Sequence, residues 1–95
     1  MANADSIECY RLSNHAKDQM RRRQIKEENV SNTLIDPEHV ETVNEGCKIY
    51  QKLIYSDDIR KSYLLRIIVD TDYEPPEVVT VYRTSKISKY WRNEP

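Results

Sequence analysis

The pattern of the chain predicts an α+β domain, with two helical segments near the N-terminus followed by a run of strands folded into one sheet. Three observations predict it. Apolar residues recur at helical spacing up to Pro37 and alternate with a period of two after it. The strand-like runs that follow are joined by short turns, the connection that antiparallel neighbours allow. Neither an internal repeat nor a low-complexity stretch divides the 95 residues, so 1–95 reads as a single domain. The expected fold is a mostly antiparallel sheet of four or five strands, with both N-terminal helices on one face and a short C-terminal helix.

Residues 1–6 read as a loose leader, and Ile7–Leu12 as a short strand. Ser13 or Asn14 then caps a helix running to about Arg23. At about 100° per residue, Ala16 and Met20 become its core contacts, and His15 falls at the margin between core and water. A second helix covers Lys26–Ile35. Glu27 and Glu28 suit its N-terminus, Asp36-Pro37 stops it, and Ile25, Val30 and Leu34 face inward. His39–Val43 and Cys47–Tyr55 make a hairpin about Asn44-Glu45-Gly46, which holds the only glycine. On the returning strand, Cys47, Ile49, Leu53 and Tyr55 share a face that Gln51 interrupts. Ser56-Asp57-Asp58 turns the chain into Ile59–Asp70, where Leu64–Val69 is apolar except for Arg66, as in a central strand. After a loop containing Pro75-Pro76, Val78–Thr84 is the last strand. Thr84 or Ser85 caps the closing helix, Lys86–Arg92.

Composition narrows the functional classes. Hydrophobic residues are 38% of the chain, charged residues 33%, and Phe is absent, so the core rests on Ile, Val, Leu and seven tyrosines. A core this economical suits a chain that borrows burial from a partner or a second copy. No apolar run nears the roughly 18 residues of a membrane span, and no signal-peptide pattern opens the chain. The expected location is cytoplasmic, with no membrane contact. Cys9 and Cys47 read as reduced thiols, and with His15 and His39 they show no metal-ligand spacing, so neither metal nor cofactor is expected. The net charge of −1 hides an uneven distribution. Arg21–Arg23 and the Arg83, Lys86, Lys89 and Arg92 segment are basic, whereas residues 37–59 are mostly acidic. Joined by the fold, the basic segments make a local patch; kept apart, they are two solvated surfaces. The near-neutral total argues against broad, non-specific nucleic-acid binding.

The stretch LSNHAKDQMRRRQI, Leu12–Ile25, followed by an acidic helix, resembles the opening motif of the domain-of-unknown-function 4258 family. In that motif His-Ala leads to Met and then Arg before a hydrophobic residue, and His15, Ala16, Met20, Arg23 and Ile25 match it. The closing stretch EVVTVYRTSKISKYW looks like the same family's last strand and tail. Gln19 departs from a position where the family often has a basic residue, and Gln24 from one where it often has a glycine. The family is similar to the RelE-like and BrnT-like small ribonuclease toxins. That resemblance implies a RelE-like fold, a cognate antitoxin as partner, and RNA, free or on the ribosome, as substrate. It implies metal-independent cleavage, in which the ribose 2′-OH attacks the adjacent phosphate. Such chemistry needs a base, an acid and cations for the developing charge. His15 is the acid/base candidate, since imidazole titrates near ~6.5. Arg23 and Arg83 are the phosphate contacts, through the planar fork of guanidinium. Tyr82 completes the catalytic set, and Arg22, Thr80, Thr84, Lys86 and Lys89 form the RNA-binding set.

Plainer roles stand beside these. Leu12–Ile25 is also an ordinary amphipathic helix with a solvated basic end. Tyr82 suits a core, Arg23 the margin of a helix, and Lys86 and Lys89 a solvated face, with Ile87, Tyr90 and Trp91 docking the last helix. Two other functions stay open. One is a non-catalytic nucleic-acid-binding module using the same patch, and the other is a protein-interaction domain whose basic segments meet an acidic partner.

Overall fold

The computed structural model describes residues 5–57 and 60–87. Its elements are β1 (Arg11–Leu12), α1 (Asn14–Arg23), α2 (Glu27–Ile35), β2 (His39–Asn44), β3 (Cys47–Ser56), β4 (Lys61–Asp70) and β5 (Glu77–Thr84). The strands form one five-stranded sheet in the order β1-β5-β4-β3-β2. β2 to β5 pair antiparallel in succession, while β1 runs parallel to β5. The expected mostly antiparallel sheet is therefore corrected to a mixed one. Two helices separate β1 from the strand meander, so its direction is set by the edge it joins and not by a tight turn. Of the expected Ile7–Leu12 strand, only Arg11 and Leu12 pair with β5. Ile7 is buried in the core, and its N–H donates to the Leu34 carbonyl at 2.8 Å. The helix expected over residues 86–92 falls almost wholly outside the described residues. At its expected start, the Lys86 N–H donates to the Thr84 hydroxyl at 3.0 Å.

Local chemistry fastens α1 to the sheet. Ser13, in extended conformation, accepts from the Ala16 N–H and donates its hydroxyl proton to the Val79 carbonyl, both at 3.0 Å. One side chain thus caps the helix and pins its start to β5. Gln19 accepts from the Val81 N–H at 3.0 Å, supplying a partner for the β5 backbone close to its register shift. The helix ends at Gln24, in the left-handed conformation, and α2 begins after Lys26, which offers no capping oxygen.

Both helices pack on one face of the sheet. Ala16, Met20, Ile25, Val30 and Leu34 bury as their spacing requires, against Tyr50, Tyr63, Leu65, Ile67, Val69, Val78 and Val81. Each fully buried aliphatic side chain of this kind is worth about 1.5–3 kcal/mol of transfer free energy. The period of two along β4 turns Tyr63, Leu65, Ile67 and Val69 toward the helices and Leu64, Arg66 and Ile68 to the other face. On β3 the same register gives Tyr50 and Ile54 to the helix side, so Cys47, Ile49, Gln51, Leu53 and Tyr55 face away from it.

Of the expected leader, Asp5 and Ser6 are held in place. Lys48 Nζ meets Asp5 Oδ1 at 2.7 Å, the Tyr50 hydroxyl donates to the Asp5 carbonyl, and the Ser6 hydroxyl donates to the Ile35 carbonyl at 2.6 Å. Burial, and then the Asp5 carboxylate, push the Tyr50 phenol up to about 12. Cys9 is exposed and Cys47 half-buried, both as free thiols. Among the described residues, no helix is long and apolar enough to cross a membrane.

Candidate functional site

α1 lies along β5, its start tied to Val79 by Ser13 and its middle to Val81 by Gln19. Its C-terminal end therefore approaches Arg83, two residues beyond Val81 on the same face of the strand. There the chain forms a polar cleft of about 280 Å³. Gln24 and the first turn of α2, with Lys26, Glu28 and Asn29, border it on the helical side. The end of β3 and the turn after it contribute Tyr55 and Asp57, while Tyr63 and Arg83 come from β4 and β5.

Arg83 lies over the Tyr63 ring, its guanidinium carbon 5.1 Å from the ring centroid, a cation–π geometry that holds the guanidinium at the cleft. Tyr63 is only 5% exposed, and its hydroxyl has no hydrogen-bond partner among the described residues. No side chain caps α2; the Asn29 N–H donates to the Lys26 carbonyl at 3.0 Å, which leaves the Glu27 and Glu28 N–H groups uncapped at the positive end of the helix dipole. Lys26 and Arg83 face two carboxylates at the cleft, Glu28 and Asp57. Nearby, Asp18 holds Arg21 at 2.7 Å and Arg22 at 3.0 Å. Arg23 is exposed, with no ion pair among the described residues.

The predicted site residues do not form one constellation. Arg83 lines the cleft, and Arg22 and Arg23 close α1 beside Gln24. His15 is exposed in the first turn of α1, eight residues before Arg23, or ~12 Å along the helix axis at 1.5 Å per residue. It lies on the helix side of the sheet with Arg83 but does not line the cleft. Tyr82, Thr80 and Thr84 pair with Arg66, Ile68 and Leu64, which puts all three on the opposite face. Lys86 is exposed just past β5, and Lys89 lies outside the described residues.

Sequence reasoning missed a second arrangement. His39, Gln51, Arg66 and Tyr82 are direct cross-strand neighbours, a polar row over four strands on the face away from the helices. Arg66 is 7% exposed; it donates to the Tyr82 hydroxyl at 2.6 Å and lies 3.9 Å from Glu41. Gln51 is fully buried, and neither of its amide atoms has a partner among the described residues. The signal was present, because Gln51 and Arg66 each interrupt an apolar pattern. For Lys26, Glu28, Tyr55 and Tyr63 the sequence carries no such signal, since only the meeting of four elements makes them neighbours.

Fold and site together define a class: an α+β domain with two helices on one face of a five-stranded mixed sheet, and a polar cleft where those helices reach the sheet's end. The chain belongs to the family of the domain of unknown function DUF4258, whose profile matches residues 12–83, from Leu12 of β1 through Arg83 of β5. No curated protein and no solved structure matches it.

Proposed function

We propose that this chain is the toxin of a type II toxin–antitoxin pair, a metal-independent endoribonuclease of the RelE-like and BrnT-like group. The observation that carries this reading is Arg83, presented over Tyr63 in a polar cleft beside the basic end of α1. When a ribose 2′-oxygen attacks the neighbouring phosphorus, negative charge builds on the non-bridging oxygens. A guanidinium fork stabilises that charge with two parallel hydrogen bonds. Arg23, free of ion pairs among the described residues, extends the cationic path for the strand. The P–O5′ bond breaks, leaving a 2′,3′-cyclic phosphate and a 5′-hydroxyl. One proton leaves the 2′-OH for a base and another reaches the 5′-oxygen from an acid. His15 is assigned to this proton transfer, with Arg22, Lys86 and Lys89 as further contacts along the RNA; Tyr82, Thr80 and Thr84, on the opposite face of the sheet, drop out of the set. The cognate antitoxin then covers Arg23, Arg83 and the segment after β5 with an acidic or apolar stretch.

The placement of His15 at the far end of α1 sets a condition. The strand must run along α1 for His15 and Arg83 to touch it together. The same separation favours a second reading, in which the cleft binds RNA without cleaving it. Purified protein on labelled RNA, with and without EDTA and with and without ribosomes, tests the two. Cleavage should survive EDTA, fall on the order of 10²–10⁴-fold in His15→Ala, and fall severely in folded Arg83→Ala. Undiminished cleavage by His15→Ala removes that residue from the reaction. Salt-sensitive binding of intact RNA, with no cleavage by the parent under any condition, favours the binding module instead.

A further inference from the structure

We infer that residues 88–95 form a releasable cover on the sheet face away from the helices, seated by Ile87, Tyr90 and Trp91 over Leu64 and loosened by the unpartnered amide of Gln51 beneath it. The inference stands apart from the ribonuclease reading and holds whether or not the chain cleaves RNA.

Burial on that face exceeds what the described elements account for. Both helices and the Asp5–Ile7 segment pack on the opposite face, against Tyr50 and the core. An antiparallel sheet covered on one side leaves its other side to water. Here Leu64 and Gln51 are 0% exposed and Arg66 is 7% exposed, all on the side the helices do not reach. Their cross-strand neighbours lie in the same layer and shield them only laterally. The chain beyond β5 is aimed at this face. Thr84 pairs with Leu64, so its hydroxyl projects on the same side, where it accepts the Lys86 N–H at 3.0 Å. That bond turns the backbone out of β5 and over the sheet. Ser85 and Lys86 are exposed, and Ile87 is half-buried again.

Length and chemistry of the segment fit the face. Gln51 lies two strands across and two residues back from Thr84, about 12 Å at ordinary sheet spacings, within reach of residues 88–95. At about 100° per residue, Ile87, Tyr90 and Trp91 share one stripe of the helix expected there, and Lys89 and Arg92 fall opposite it. The apolar stripe matches Leu64, with Ile49, Leu53 and Ile68 around it, while the two cations stay in water. Gln51 works against this seat. Neither of its amide atoms has a hydrogen bond among the described residues. Seating the segment holds the amide desolvated and lifting it returns the amide to water, so Gln51 favours release. The apolar stripe closes the face, and the amide keeps the closure reversible. Seated, the segment withdraws Gln51, Arg66 and Tyr82 from solvent; lifted, it exposes that row.

Trp91 is the only tryptophan of the chain, so its signals report this segment alone. In the full native chain its emission should lie to the blue of that in urea, and its indole should show nuclear Overhauser contacts to the Leu64 methyls. Exchange of its indole N–H should be faster than that of the Ile67 amide in the core, as local release without global unfolding requires. Gln51→Leu removes the unsatisfied amide and should slow the indole exchange about fivefold or more. Ile87→Glu should return Trp91 emission to its position in urea while the Ile67 amide stays protected. If that variant loses the core protection, the wild-type chain and Gln51→Leu still decide the matter. Trp91 emission in the native chain equal to that in urea overturns the cover, as do indole contacts to α1 or α2 in place of Leu64. Shielding of Trp91 that disappears on dilution overturns it too, since the segment of a second copy then fills the face. Indole exchange that Gln51→Leu leaves unchanged or speeds overturns the role given to Gln51.

Discussion

Gln24 ends α1 with φ 55° and ψ 44°, the left-handed conformation that a side chain with a Cβ adopts only at a cost. Its N–H nonetheless closes the helix on the Arg21 and Met20 carbonyls, and the Ile25 N–H returns to Met20 at 2.8 Å, which delivers Ile25 to the core. Glycine at this position relieves the strain and retains both bonds, at the smaller expense of a more flexible unfolded chain. Gln24→Gly is expected to raise stability by about 0.5–1 kcal/mol, read as a higher urea midpoint with an unchanged slope. A lower midpoint would show that the Gln24 side chain contributes more than its backbone loses. Gly46 poses the reverse case. At φ 85°, with the Asp72 carboxyl group where a Cβ would stand, this turn admits no other residue without movement.

The strands β3 and β4 have two unlike faces, and the face away from the helices is the unusual one. Leu64 and Gln51 are fully buried on it although neither helix reaches it, and Arg66 lies between Gln51 and Tyr82 in the cross-strand row. Gln51 brings two amide atoms into this row without a hydrogen bond for either among the described residues. Such a group stays desolvated in the folded state and hydrated in the unfolded one, so it opposes folding. Gln51→Leu, of similar length, should stabilise the domain by about 1–3 kcal/mol, seen as a higher Tm for a chain that still folds cooperatively. A lower Tm would mean that the amide is satisfied in solution. α1 and β5 show the opposite economy, for Ser13 and Gln19 each answer a backbone group that their own neighbourhood leaves open.

At the scale of the molecule, the expected site residues are divided between the two sides of the sheet. Arg23 and Arg83 lie with the cleft on the helix side, while Tyr82, Thr80 and Thr84 lie on the other. Lys86 follows β5 at the end of the sheet shared with the cleft. An acidic antitoxin segment laid over the cleft would meet this end of the domain first, guided by screened charge. Reversing Lys86 and Lys89 to Glu should weaken the complex and reduce the salt dependence of its Kd, measured at two ionic strengths. Should affinity and salt dependence both persist, the antitoxin engages a surface away from the end of β5.

The sequence by itself determined the elements and one of their two faces. The helix over 14–23, the inward positions Ala16, Met20, Ile25, Val30 and Leu34, and the three-turn strand meander follow from periodicity and capping, which act within a few residues. The Thr84 hydroxyl as an acceptor for the Lys86 N–H was legible too, because that contact is local, whereas the exceptional position of Gln24 was marked only by the resemblance to the family motif. Strand pairing at the sheet edge was not: β1 finds β5 across 66 residues, and no short-range rule sets a parallel neighbour. Nor was the face of β3, whose alternation offers Cys47, Ile49, Leu53 and Tyr55 as a plausible core, until Tyr50, paired with Ile67, took the helix side. The cleft belongs wholly to tertiary structure. Lys26, Asp57, Tyr63 and Arg83 come from four separate segments, and only the packing of α1 and α2 against the end of the sheet gives them a common space.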